Sequence, residues 1–241
     1  MSLLKPFFAR FGLLLLTLVV ASCDTFRGDE VVDDKLVTIN PEKVDYYVPD
    51  ADIKSSSSVI INLREIVVSA HARIGIKLHK VPDYGAVTWL DEDFLKYTPT
   101  PTLYDTTYHD GERMDQFEIA FVSDGRTIAT QPISIRPGNF PCGLYAVEDR
   151  VETRPGTPVS FAAVWNDHLC DIRVDNIAQS IALDPHHGNA EVNGTTITYT
   201  PEVDFEGLDE FVYVVNAFGQ ENIASQGPLT SYGLVTVQVG E

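Results

Sequence analysis

An all-β fold, built as two β-sandwiches in series, is what this sequence predicts, and three observations predict it. Short runs rich in β-branched and aromatic residues recur along the chain, bounded by Gly, Pro, Asn or Asp. No amphipathic helix of ten or more residues is visible beyond the N-terminal segment. The chain also repeats itself at an interval of about 100 residues, the size of one small domain.

The strand signals are clear in order. Val59-Ile-Ile-Asn-Leu and Glu65-Ile-Val-Val come first, then Phe117-Glu-Ile-Ala-Phe-Val and the strictly alternating Ile133-Ser-Ile. Val159-Ser-Phe-Ala-Ala-Val, Thr196-Ile-Thr-Tyr-Thr, Phe211-Val-Tyr-Val-Val and Val235-Thr-Val-Gln-Val follow. Asn193-Gly194 between two such runs predicts a two-residue hairpin, because both turn positions need positive φ. Phe211, Tyr213 and Val215 share one strand face, expected to be the core face. Trp89 and Trp165 are expected in or at the edge of the core, given the area they bury.

The repeat is specific. Gly85, then Tyr97-Thr98-Pro99, then Asp115-Gln116-Phe117 are answered by Gly188, then Tyr199-Thr200-Pro201, then Asp209-Glu210-Phe211. Thr-Pro ends a strand, since Pro lacks the donor and restricts its predecessor. Asp209 is placed to hold a loop through side-chain to backbone bonds, and Phe205 to plug one end of the sandwich. The expected organisation is a first sandwich over 37–137, a divergent copy, and a second over 138–241.

The N-terminal segment reads differently. Lys5 and Arg10 precede an apolar run from Phe11 to Val20, too short for a membrane-spanning helix of roughly 20 residues. Val20-Ala21-Ser22-Cys23 resembles the lipobox of bacterial lipoproteins. The resemblance implies a signal peptide over 1–22, cleaved before Cys23, whose thiol then carries acyl chains such as palmitate. Residues 23–36 would be the lipidated Cys and an acidic tether. Two or three acyl chains, at about 0.8 kcal/mol per buried methylene, make a firm membrane anchor. The address expected is the bacterial cell envelope, with the outer membrane or cell surface favoured over the inner membrane.

The net charge of −18 repels nucleic acid and anionic headgroups, which removes nucleic acid as a partner class. It suits a solvated extracytoplasmic surface or a protein that gathers divalent cations. With Cys23 lipidated, Cys142 and Cys170 remain as an even pair. An oxidising compartment favours a disulfide between them; two buried thiols or a metal site are the rival readings.

The second half resembles the bacterial cadherin-like, immunoglobulin-like tandem repeat. Gly156-Thr157-Pro158-Val159, Val164-Trp165-Asn166-Asp167, His187-Gly188, Ile197-Thr198-Tyr199-Thr200-Pro201, Asp204-Phe205-Glu206-Gly207 and Asp209-Glu210-Phe211 carry the resemblance. It is clear over 139–239 and partial over 37–136. It supports pairing Cys142 with Cys170, and it implies a Ca²⁺ site between repeats at Glu148, Asp149, Asn166 and Asp167, with Asp171 nearby. The chemistry is apt, because Ca²⁺ takes six to eight hard oxygens. The chain departs from the fullest pattern where His168-Leu169-Cys170 stand in place of a further Asp.

Catalytic signatures are missing: no Gly-x-Ser-x-Gly elbow, HExxH, P-loop or dinucleotide-binding glycine pattern is present. Asp91-Glu92-Asp93 reads as a hairpin tip and His186-His187 as turn residues. The function expected is therefore non-enzymatic, with no cofactor required and Ca²⁺ as a candidate ion. It is a lipoprotein using Ig-like modules for adhesion, display or spacing, with a protein or glycan ligand. An accessory subunit of an envelope secretion or glycan-handling complex, and a divergent hydrolase module, are the alternatives.

Overall fold

A computed structural model describes residues 37–48, 58–70, 74–104, 114–137, 141–218 and 229–240. Cys23 and the segments read as a signal peptide and a tether lie outside the described residues. The first sandwich contains β1 (Val37–Ile39), β2 (Asp45–Val48), β3 (Val59–Asn62), the one-turn helix α1 (Leu63–Ile66), β4 (Val67–Ala70), β5 (Gly75–Lys80), β6 (Gly85–Trp89), β7 (Phe94–Pro99), β8 (Asp115–Ser123) and β9 (Arg126–Pro137). The second contains β10 (Leu144–Tyr145), β11 (Asp149–Thr153), β12 (Val159–Phe161), β13 (His168–Leu169), β14 (Ile177–Leu183), β15 (Gly188–Asn193), β16 (Thr196–Pro201), β17 (Gly207–Ala217) and β18 (Thr230–Val239).

Both sandwiches use one plan. A four-stranded sheet, β2-β9-β8-β5 or β11-β18-β17-β14, pairs with a three-stranded sheet, β3-β7-β6 or β12-β16-β15. The edge strand β2 or β11 runs parallel to the last strand, β9 or β18, while the other pairings within these sheets are antiparallel. The cores follow from strand alternation. Ile61, Leu95, Tyr97, Phe117, Ile119, Phe121, Ile133 and Ile135 fill the first; Ile197, Tyr199, Phe211, Tyr213, Val215, Val235 and Val237 fill the second. This is a tandem Ig-like β-sandwich architecture.

The sequence repeat has a direct physical meaning. In the first sandwich, Tyr97 Oη donates to Asp115 at 2.6 Å, and Asp115 also accepts from the backbone amides of Asp83, Tyr84 and Gln116. In the second, Tyr199 Oη donates to Asp209 at 2.8 Å, and Asp209 accepts from the amides of His186, His187 and Glu210. Each buried carboxylate is fully hydrogen-bonded, as burial of a charge requires. Phe117 stacks on Tyr97 and Phe211 on Tyr199, at 6.4 and 5.9 Å. The repeated glycine leaves room for the tyrosine ring: a Cβ on Gly85 would sit 2.4 Å from Tyr97 Cε2, and one on Gly188 2.6 Å from Tyr199 Cε2.

Two local expectations need correction. The β15–β16 hairpin exists, but Asn193 pairs with Thr196 as the last residue of β15, so the loop is Gly194-Thr195. Only Gly194 has positive φ, at 63°, which is the pattern of a type II′ turn and not the type I′ turn read from Asn-Gly. The type I′ pattern occurs instead at Asp124-Gly125, with φ of 48° and 77°, between β8 and β9. Trp165 is not a core residue. Ala163 and Val164, its neighbours in the 3-10 turn Ala163–Trp165, take the buried positions, and the indole is 90% exposed. Trp89 is 40% exposed at the end of β6.

The sandwiches also meet each other. Ile60 and Phe94 point away from the first core, and Val212 and Leu234 away from the second, yet all four are buried together. The outer face of β3 and β7 therefore packs on the outer face of β17 and β18. Around these apolar residues, Lys96 Nζ reaches Glu210 Oε1 at 2.7 Å and Asn62 Nδ2 donates to Tyr232 Oη at 2.8 Å.

Candidate functional site

One end of the second sandwich gathers the chemistry-bearing residues. Glu148 and Asp149 lead into β11; Asn166 and Asp167 follow the 3-10 turn after β12. Between them sits the disulfide. Cys142 and Cys170 are bonded with a Cα–Cα distance of 5.0 Å, and the bridge flanks the short β10–β13 ladder, where Cys170 N donates to Gly143 O at 3.1 Å. The staple and the ladder hold the strand entering Glu148 against the loop carrying Asn166 and Asp167. Asn166 Nδ2 donates to the Glu148 carbonyl at 3.1 Å, and the Val147 amide donates to Asp167 Oδ1 at 2.8 Å.

Tyr213 joins this set from β17. Its hydroxyl lies 3.1 Å from Asp167 Oδ1 and within reach of the Val147 and Ala163 carbonyls at 3.4 Å. A Cβ on Gly233 would lie 2.3 Å from Tyr213 Cε1, so the ring depends on a third glycine beneath a tyrosine. The strand pattern puts Tyr213 on the core face but does not join it to the carboxylates. A buried phenol needs a partner for its hydroxyl, and that requirement was the available signal.

Unlike Asp115 and Asp209, this carboxylate pair is only partly satisfied. Asp149 Oδ2 and Asp167 Oδ2 are buried with no hydrogen-bond partner. Burial, followed by the charge of Asp167, pushes the Asp149 carboxyl up to about 8, against the opposing pull of Tyr213 and Asn166. Burial pushes Asp167 up to about 7, against its bonds from Val147 N–H and Tyr213. Burial and the two carboxylates raise Tyr213 well above the usual phenol range. Two neighbouring acids raised this far hold a proton at neutral pH unless a cation takes its place.

The structure thus brings Asp149, Asn166 and Asp167 together, with Glu148 alongside. Glu148 is already engaged, its Oε1 at 3.0 Å from Arg150 Nε and 3.3 Å from Thr236 Oγ1. Asp171 stands apart: it is exposed, has a φ of 59°, and its Oδ2 lies 3.5 Å from Cys142 Sγ. Among the described residues, Cys142, Cys170 and Asp171 form a close group of candidate metal ligands, but both sulfurs are committed to the disulfide. For Ca²⁺, the pole offers two buried, open carboxylate oxygens from Asp149 and Asp167. The rest of a shell of six to eight would come from Glu148, Asn166, carbonyls and water.

The remaining polar motifs are structural. Asp91 Oδ1 accepts from the amides of Asp93 and Phe94 in the β6–β7 turn. His187 stacks on Phe205 at 4.1 Å, closing the opposite end of the second sandwich. A cleft of about 520 Å³ lies where the sandwiches meet, lined in part by Arg64, Asp91, Asp184, His186 and Tyr232. No helix of the described residues is long and apolar enough to cross a membrane.

Residues 141–226 match the bacterial Ig domain family. No curated protein matches the chain in sequence. Among solved structures, chicken VE-cadherin EC1-2 is similar at 11% identity and a TM-score of 0.26, over 82% of this chain and 98% of that one. Human protocadherin-24 EC1-2 is similar at 10% identity and a TM-score of 0.27, over 85% and 99%. An endo-fucoidan hydrolase from glycoside hydrolase family 107 is similar at 13% identity and a TM-score of 0.26, over 85% of this chain; the chain spans 30% of that protein. These similarities are too distant to transfer an activity or a ligand.

Proposed function

We propose that the chain is a non-enzymatic lipoprotein of the bacterial cell envelope, which displays two Ig-like modules for adhesion to a protein or glycan partner. The match of residues 141–226 to the bacterial Ig domain family carries this reading, because such a domain suggests an extracellular or surface setting. The disulfide agrees with an oxidising compartment. The lipobox at Val20–Cys23 supplies the membrane link, and the acidic segment 24–36 the spacing from the bilayer. No specific observation favours the envelope-complex or hydrolase alternatives.

The test is expression of the full chain in a bacterium, with mass analysis of the N-terminal peptide and membrane fractionation. Acylated Cys23 in the membrane fraction is expected, with release into the soluble fraction for Cys23→Ala. An unmodified N-terminus, or membrane association unchanged by the substitution, would refute the anchor. Protease shaving of intact cells then separates surface display from a buried location.

A second element of the reading is Ca²⁺ at the carboxylate pole, favoured by the two buried, unpartnered oxygens of Asp149 and Asp167. Bound there, the ion would supply charge neutralisation between the two loops. Asp149 and Asp167 would hold it through their open oxygens, with Glu148 and Asn166 completing the shell.

A further inference from the structure

We infer that the two sandwiches work as one rigid, folded-back body, latched by Tyr232 onto α1, and that this latch needs no cation. The inference rests on the paired-sandwich fold, and not on the lipid anchor or on Ca²⁺.

Three observations on the touching faces carry it. First, the contact is apolar at its centre. Val212 and Leu234 project from the outer face of the second sandwich, where solvent would be expected, yet they are 0% and 1% exposed beneath Ile60 and Phe94. Second, Tyr232 is fitted at both ends. Its ring packs on Phe94 at 5.6 Å, and its hydroxyl accepts from Asn62 and donates to Glu65. Glu65 is held in turn by Lys43 at 2.6 Å. Burial and Glu65 push the Tyr232 phenol up to about 12. Third, Lys96 and Glu210 pair at 2.7 Å across the same contact, with the side chains 19% and 35% exposed. A shape match, a hydroxyl with two polar partners and an ion pair together fix one register, which a merely greasy contact would not.

The local chain is built to make this contact. α1 interrupts what would otherwise be a continuous strand from β3 to β4. Asn62 caps it by accepting from Arg64 N at 3.0 Å, and its own amide nitrogen then serves Tyr232. Leu63 and Ile66 turn into the first core, which leaves Glu65 directed at the neighbouring sandwich. The cation-site residues Asp149 and Asp167 are not part of these contacts. The consequence for function is reach. A folded-back pair is about one sandwich long, so it presents a broad two-module face near its tether and does not act as an extended rod.

Small-angle X-ray scattering on the mature chain tests this. A module of about 100 residues has a radius of gyration of about 13 Å. Two modules face to face, with centres about 20 Å apart, give about 16 Å overall, and two in line, about 40 Å apart, give about 24 Å. The expected value is about 16 Å, unchanged between EDTA and millimolar Ca²⁺ and independent of protein concentration. Leu234→Glu, which charges the outer face without touching the core-facing Val235, should move it toward 24 Å. Lys96→Glu, which sets two acids against each other, is the second variant should Leu234→Glu fail to fold by circular dichroism. A wild-type value near 24 Å, or compaction only with Ca²⁺, overturns the inference, as does an unchanged value in folded variants. The acylation and shaving assays are blind to shape, so failure here and failure of the adhesion reading are told apart.

Discussion

Asp149→Asn should stabilise the protein, most at pH 8 and progressively less down to pH 5. Asp149 is 8% exposed, its Oδ2 lacks a partner, and its carboxyl is raised from 3.8 to about 8 by burial and then by Asp167. A carboxyl raised in the folded state holds a proton that the unfolded chain has already released. The stability it confers is therefore complete below about pH 4 and is lost as pH climbs toward 8, because the folded state binds the extra proton across that window. At about 1.36 kcal/mol per unit, the ceiling for Asp149 alone is about 6 kcal/mol; relaxation and water entry bring the expected loss to about 1–3 kcal/mol. An asparagine cannot ionise, and its amide has a hydrogen to offer Asp167.

The assay is urea unfolding of both proteins at pH 5, 6, 7 and 8 in EDTA. The difference between wild type and variant cancels the other carboxylates of a chain with net charge −18. The variant's advantage should grow steadily from pH 5 to pH 8. A flat difference, or a variant weaker than wild type at pH 8, would refute the account of an under-satisfied acid pair. Added Ca²⁺ then discriminates. If the wild type binds it at a Kd of about 0.1 mM, 5 mM Ca²⁺ adds about 2 kcal/mol at pH 8, and the variant gains far less. No gain in the wild type removes the metal reading and leaves the proton reading intact.

Three further sets of substitutions probe the second sandwich and its twin. Gln179 lies on β14 between Ile177 and Ile181, with Nε2 and Oε1 both buried and unpartnered, so Gln179→Leu should raise stability by about 1–3 kcal/mol in urea; a loss would show that the amide is satisfied in solution. Tyr97→Phe and Tyr199→Phe each delete a hydrogen bond to a buried carboxylate, and each should cost about 1.5–3 kcal/mol by thermal melting; unequal effects, one near zero, would break the claimed equivalence of the repeats. Cys142→Ser with Cys170→Ser should cost about 3 kcal/mol, and thiol counting on the denatured, unreduced mature protein should find neither group reactive.

Much of this architecture was readable because the repeat is a unit of side-chain chemistry. Glycine, tyrosine and aspartate recur in order since a ring must lie over the glycine and a hydroxyl must reach the carboxylate. The role of Asp209 and the inward stripe Phe211, Tyr213, Val215 follow from the same local logic. The candidate pole was half legible: Asn166 and Asp167 were found by resemblance, while Tyr213, 46 residues from Asp167, was left unjoined. Trp165 was misplaced because area favours burial only when the backbone offers an inward position. In a 3-10 turn already anchored by Ala163 and Val164, it does not. The Asn193-Gly194 turn was misread by one residue, since the dipeptide preference is blind to register and the ladder to β16 sets it.

The contact between sandwiches was the least legible feature, and the reason is instructive about strands. A half-buried strand alternates, whereas one covered on both sides reads as an unbroken apolar run. Phe211-Val212-Tyr213-Val214-Val215 is such a run, and so, more briefly, are Ile60-Ile61, Phe94-Leu95 and Leu234-Val235. In each, one residue of the pair enters its own core and its neighbour faces the other sandwich: Phe211 against Val212, Ile61 against Ile60, Leu95 against Phe94, Val235 against Leu234. The second face was therefore written in the composition of these strands. What covers it is a matter of pairing across 170 residues, as Asn62 and Tyr232 demonstrate, and no local pattern specifies that. Doubly apolar strands in a tandem Ig-like chain thus favour lateral docking over an in-line rod. Each outward residue left uncovered would expose about as much apolar surface as burial of its partner removes, at roughly 25 cal/mol per Å².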